Sequence, residues 1–91
     1  MLYIIKWSNG LYFHNKGRII LFESINQAKE FINLFIQYSM NELKRQNRMQ
    51  EAVSMPFTIS SNSTIMDIDF DIDKVECGTV FASELFENRG R

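Results

Sequence analysis

The sequence predicts an α+β domain with an N-terminal three-stranded antiparallel meander, one long amphipathic helix packed on the sheet, and two or three further C-terminal strands. Three observations support this prediction: apolar runs separated by glycine turns before residue 23, a helical apolar period after Ser24, and alternation of apolar residues with aspartates from Met66 to Asp73. With 91 residues and 45% hydrophobic content, residues 1–91 are enough for a single domain with one core.

The meander is predicted from two turns. The run from Leu2 to Trp7 is apolar, β-branched and aromatic, and it is followed by Asn9-Gly10. Asn-Gly between two such runs is a strong hairpin signal because both turn positions need a positive φ. Leu11 to His14 then forms the returning strand, and Arg18 to Phe22 forms the third strand after a turn at Asn15-Lys16-Gly17.

Pairing across two-residue turns assigns the side chains of the meander to two faces. The face expected to meet the helix carries Ile5, Trp7, Tyr12, His14, Ile19 and Leu21. The opposite face carries Ile4, Lys6, Phe13, Arg18, Ile20 and Phe22. This second face is too apolar for water, so we expect the C-terminal strands, a second subunit or a target to cover it.

The helix is predicted to begin after Ser24, a favourable N-cap residue, and Gln27 completes a capping-box pattern. Its inner face carries Ile25, Ala28, Phe31, Ile32, Phe35, Ile36 and Leu43. Extended to Met49, the helix would be about 37 Å long, so we expect it to overhang a sheet with strands of roughly 20 Å. Pro56 should prevent any continuation.

The C-terminal part is predicted to be mainly strand. Phe57–Ile59 is a possible short strand, and residues 60–63 form a loop. The strand from Thr64 to Asp73 alternates apolar residues with aspartates, and Thr79 to Ala82 forms the last strand. Residues 83–87 fit either an extension of that strand or one helical turn.

Charge is unevenly distributed along the chain. The net charge of -1 combines +3 in residues 1–65 with -6 in residues 66–87, and two terminal arginines supply the difference. A period of two places four aspartates on one face over roughly 20 Å. That face is either solvated or a contact for a basic partner. The acidic candidate residues are Asp67, Asp69, Asp71, Asp73 and Glu76.

We therefore expect a small non-enzymatic protein-binding module, an inhibitor or accessory protein that blocks a basic surface of a larger target through this acidic strand. The alternative is a small regulator associated with nucleic acid. Its basic candidate residues are Lys6, Arg18, Lys44, Arg45 and Arg48. A third hypothesis is a structural homodimer formed through the helix overhang and the uncovered sheet face.

The sequence contains no pattern of a catalytic, metal or cofactor site, and we expect none of the three. The spacing from Asp67 or Asp69 does not match a calcium-binding loop, and the four glycines form no phosphate-binding loop. Cys77 and His14 are each the sole residue of their type, which excludes an internal disulfide. We expect a cytoplasmic location. The excess of Ile, Asn and Phe over Ala and Val is typical of AT-rich codons, as in phages and low-GC bacteria.

Overall fold

A computed structural model describes residues 2–68 and 78–87 of the chain, with the backbone alone for residues 86 and 87. The fold is α+β, with a long helix packed on sheets, as the sequence predicts. In chain order the elements are β1 (Leu2–Trp7), β2 (His14–Asn15), β3 (Arg18–Leu21), α1 (Ile25–Arg45), α2 (Met49–Asn62), β4 (Ser63–Ile68), β5 (Thr79–Phe81) and α3 (Ala82–Glu87).

The strands form two small sheets instead of one meander. β1 pairs with β4 in antiparallel register over all six residues, from Leu2 opposite Ile68 to Trp7 opposite Ser63. The second sheet has the order β2-β3-β5, with β2 antiparallel and β5 parallel to β3. Between the sheets, β1 keeps only isolated bridges to the returning chain, at Tyr12 and at Phe22.

The first turn is one residue longer than predicted, and this reverses the faces of the returning segment. The Trp7 N–H donates to the Leu11 carbonyl at 2.7 Å, so the loop contains residues 8–10 and Lys6 lies opposite Tyr12. A shift of one residue exchanges the two faces of a strand. Phe13 therefore lies on the side of Ile5, whereas the two-residue turn would have placed Tyr12 there.

The core under the helix consequently differs from the predicted face. Its buried members are Ile5, Ile20, Phe22, Ala28, Val80 and Ala82, with Phe13 and Phe31 partly buried against them. Ile20, Phe22 and Phe13 come from the face that was expected to need a separate cover. The bridge between Tyr3 and Phe22 brings Phe22 to the side of Ile5, since residues opposite each other share a face.

The second turn follows the prediction. Asn15 lies opposite Arg18, which leaves Lys16 and Gly17 as the two turn residues. Their φ angles are +51° and +81°, as a turn that matches the right-handed twist of a hairpin requires. The glycine is suited to this conformation because it has no side chain to clash with the backbone.

Helix α1 begins as predicted but ends earlier. The Ser24 hydroxyl accepts from the Gln27 N–H at 3.1 Å, and the Gln27 side chain in turn accepts from the Glu23 N–H at 2.7 Å. At the other end the helix stops at Arg45, and Asn47 adopts a φ of +58° that turns the chain. The helix that the sequence extends to Met49 is therefore about one turn shorter, and the chain turns into α2, which packs against α1.

Helix α2 occupies residues for which the sequence predicted a short strand and a loop, and that prediction is wrong. The helix continues through Pro56 to Asn62. Hydroxyl and amide side chains that usually favour loops instead donate to carbonyls one turn earlier: Thr58 to Ser54, Asn62 to Thr58, and Ser63 to Ile59.

Packing against α1 stabilises α2. Ala52 and Ile59 are buried on α2, and Ile36 and Leu43 are buried on α1. Most of the stability of a helix in a protein comes from tertiary packing and not from local propensity. The burial of these side chains therefore explains why residues 49–62 are helical.

In the C-terminal part, the prediction of a last strand is confirmed. β5 covers Thr79–Phe81, and α3 shows that residues 83–87 take the helical alternative. β4 ends at Ile68, and residues 69–77, which include the second half of the predicted alternating strand, lie outside the described residues. Within β4, Ile65 packs on the core. Asp67, two residues later, therefore lies on the same face of the strand as Ile65.

The position of Pro56 inside α2 gives the first testable prediction. Pro56 cannot donate to the Ala52 carbonyl, so Pro56→Ala restores one helical hydrogen bond. We expect the free energy of unfolding in urea to rise by about 1–2 kcal/mol, after allowance for the more flexible unfolded chain. The control is Gln50→Ala, at an exposed residue of the same helix. It should change the free energy of unfolding by less than about 0.5 kcal/mol. A loss of stability in Pro56→Ala would contradict the helical assignment.

Candidate functional site

An aromatic cluster joins the first turn to helix α1. The Phe13 ring centroid lies 5.9 Å from that of Trp7, 6.0 Å from that of Phe31 and 5.3 Å from that of Phe35. Phe31 also meets the buried Phe22 edge to face at 5.3 Å. Tilted and edge-to-face pairs at these distances are favourable beyond their buried area. Phe13 thus connects the loop after β1 to the core beneath the helix.

A groove opens to solvent beside this cluster, and we call it the Phe13 groove. It is lined by Trp7, Asn9, Leu11, Tyr12, Phe13, His14, Phe31 and Phe35. Its volume is about 260 Å³, and its surface is mostly apolar. Leu11 at its edge is 62% exposed and Phe35 is 39% exposed. The groove therefore presents apolar surface that residues 2–68 and 78–87 leave exposed.

Local hydrogen bonds hold the loop side of the groove in place. The Asn9 side-chain oxygen accepts from the Leu11 N–H at 2.9 Å, and Gly10 adopts a φ of +91° between them. The His14 ring Nδ1 donates to the Tyr12 carbonyl at 3.1 Å. A carbonyl can only accept, so this bond places a proton on Nδ1. These contacts give the loop a defined shape.

The acidic candidate residues are described only in part. Asp67 is exposed on β4 opposite Tyr3. Asp69, Asp71, Asp73 and Glu76 lie outside the described residues. Asp67 lies near one end of the β1–β4 ladder, whereas Trp7 of the groove lies at the other end, about 13 Å away at the usual rise along a strand.

The basic candidate residues fall into two groups. Lys6 and Arg18 lie on the strands. Lys44 and Arg45 lie in the last turn of α1, and Arg48 is the N-cap residue of α2. From Phe31, which contacts Phe13, to Lys44 the helix rises about 20 Å. The structure therefore does not bring the five residues onto one continuous surface near the groove.

Two of these cations are already paired. Arg45 donates to the Glu42 carboxylate at 2.7 Å, and Arg48 forms an ion pair with Glu51. The hydrogen bond from Arg45, followed by Coulombic attraction to the same carboxylate, holds the pKa of Arg45 above its ordinary value. Such exposed pairs contribute little to stability, but they reduce the charge available to a phosphate backbone.

Within residues 2–68 and 78–87, no three His, Cys, Asp or Glu side chains come together in a group that could hold a metal ion. Cys77 lies outside this part of the chain. No helix in the described ranges combines the length and the apolar character needed to span a membrane.

The sequence reasoning missed the Phe13 groove as a site. It assigned Phe31 and Phe35 to the core because of their helical spacing, and it expected Phe13 to be buried under a separate cover. The sequence feature that indicates the groove is the segment from Trp7 to Phe13, in which an Asn-Gly turn separates large apolar residues. Such a turn cannot bury all of those side chains, because its tip projects from the sheet.

The aromatic cluster predicts that alanine substitutions at two adjacent residues destabilise the protein to different extents. Phe13→Ala removes contacts to three rings, and we expect it to lower the free energy of unfolding by about 2–4 kcal/mol. Tyr12→Ala, on the other face of the segment, should lower it by less than about 1 kcal/mol. Urea denaturation followed by circular dichroism measures both. The reverse order would show that the first turn has the two-residue register.

Comparison of the chain with protein-family models, with curated proteins and with solved structures gives no match. The residues that define a candidate function are therefore those of the groove itself. They form an apolar, concave surface whose loop side is held by local hydrogen bonds.

Proposed function

We propose that the protein is a non-enzymatic protein-binding module that inhibits or assists a larger protein by covering one of its surfaces. The Phe13 groove is the observation that carries this proposal. Large apolar side chains that stay exposed around a concave surface are typical of a site for another molecule. Protein partners bind such a surface through one or two buried side chains at the centre of the contact.

The volume of the groove favours a single side chain of a partner. At about 260 Å³ it is larger than the cavity of about 150 Å³ that holds benzene, and it lies just below the range of about 300–1,000 Å³ typical of drug-sized ligands. One aromatic ring or one branched apolar side chain matches that space. Trp7, Phe13 and Phe35 offer ring surfaces against which such a group can pack.

The segment that supplies the loop side of the groove has a positive net charge. Residues 2–22 contain Lys6, Lys16 and Arg18 but no Asp or Glu, and the three cations lie outside the lining of the groove itself. Complementary charge accelerates association and selects between partners. We therefore propose that the groove receives an apolar side chain from a partner segment that also carries carboxylates.

The acidic residues are proposed as a second contact, with a basic surface of the same target. Asp67 lies toward the opposite end of β1 from the groove, so the two contacts would occupy different ends of the domain. A target with an acidic segment and a basic surface would then be covered at both. This arrangement suits a protein that blocks a target without catalysing a reaction.

The groove contact is tested with two charged variants in affinity capture from a lysate of the encoding organism. Leu11→Asp introduces a carboxylate at the groove, while Val53→Asp introduces one at an equally exposed apolar residue of α2. We expect the identified partner to bind the Leu11→Asp variant at least about 30-fold more weakly, and the Val53→Asp variant with unchanged affinity.

Two results would contradict the groove contact. One is equal affinity of the partner for wild type and Leu11→Asp, measured by calorimetry. The other is salt-sensitive retention of DNA or RNA on a filter that is lost on replacing Lys6 and Arg18 with Gln, since this would support the nucleic-acid alternative.

The acidic contact has its own test. Replacing Asp67, Asp69, Asp71 and Asp73 with Asn removes four charges and keeps the side-chain size. We expect binding of the partner to weaken strongly and to lose most of its dependence on ionic strength, while the circular dichroism spectrum stays the same. Unchanged affinity in calorimetry would show that these carboxylates form only a solvated surface.

A further inference from the structure

Helix α2 carries a line of exposed apolar side chains that the fold does not use. Met49, Val53 and Phe57 are four residues apart, so they lie along one side of the helix over about 12 Å. They are 54%, 76% and 78% exposed, respectively. We call this line the α2 stripe. It is separate from Ala52 and Ile59, which α2 buries in the domain.

The α2 stripe carries no net charge. From Ala52 to Met66 the sequence contains no ionisable side chain. Beside Met49, Arg48 and Glu51 form an ion pair with each other, so their charges offset. This surface therefore has no net charge that would select an oppositely charged protein. For the same reason, it does not repel a second copy of itself.

The spacing of the α2 stripe is symmetric about its centre. Val53 lies midway between Met49 and Phe57, so an antiparallel copy of the helix presents the same spacing in reverse. We propose that the α2 stripe is the interface of a homodimer with two-fold symmetry, in which Val53 meets Val53 of the partner subunit at the axis. Met49 then packs against Phe57 of the partner subunit, as a self-complementary interface requires.

The exposed area determines how strong this dimer is. The three side chains expose on the order of 300–400 Å² per subunit, about half of what each partner contributes to an interface of standard size. The dimer should therefore form at high protein concentration, with a dissociation constant of roughly 0.01–1 mM. This interface differs from the Phe13 groove, so each contact can fail without the other.

Sedimentation velocity between 10 μM and 1 mM protein tests the proposal. The average mass of wild type should rise toward that of a dimer. Val53→Glu should remain a monomer throughout, and it should stay folded because the side chain is exposed. Leu11→Glu, an equally exposed change outside the α2 stripe, should dimerise like wild type. A wild-type monomer at 1 mM, or a Val53→Glu variant that dimerises like wild type, would overturn the proposal.

Cross-linking tests the antiparallel arrangement. In a Cys77→Ser background, Val53→Cys places two thiols at the two-fold axis, whereas Met49→Cys places them near opposite ends of the interface. After oxidation at 1 mM, we expect a disulfide-linked dimer from Val53→Cys and mainly monomer from Met49→Cys. Equal cross-linking of the two variants, or preferential cross-linking of Met49→Cys, would contradict the antiparallel pairing.

Discussion

The position of Phe13 beneath helix α1 is the interaction on which the arrangement of the domain depends. Its ring contacts Trp7 on the first strand and both Phe31 and Phe35 on the helix. Phe31 extends the contacts to the buried Phe22. A single ring thus links the N-terminal strand, the returning segment and the helix. Because the same ring forms one wall of the groove, the stability of the fold and the shape of the candidate site depend on the same contacts.

Charges that are unevenly distributed along the sequence also lie in different parts of the structure. Lys16 and Arg18 lie at and after the second turn, in a segment without carboxylates that includes the loop side of the groove. Asp67 lies toward the other end of the β1–β4 ladder. The α2 stripe is a third surface, which is apolar and consists of residues without charge. Three surfaces with different chemistry on one small domain favour a protein whose function is to bind others.

Local sequence signals predicted the elements that local interactions determine. Ser24 caps its helix, and the second turn is closed by Gly17, which readily adopts the positive φ that the turn requires. Tertiary packing determines the first turn and helix α2, which local signals do not predict. The first turn took a third residue, which placed Phe13 rather than Tyr12 against the helix, and the spacing of apolar residues cannot distinguish these registers. Helix α2 was missed because Pro56 and its serines favour loops locally, whereas burial of Ala52 and Ile59 against α1 favours the helix.

The most direct test of this account is a two-dimensional nuclear Overhauser spectrum of the protein with assigned aromatic side chains. The ring centroids of Phe13 and Phe35 are 5.3 Å apart, so the account predicts strong cross-peaks between their protons, with further peaks from Phe13 to Trp7 and Phe31. Tyr12 should give no comparable peaks to Phe31. Cross-peaks from Tyr12 to Phe31, with none from Phe13, would contradict both the register of the first turn and the groove that depends on it.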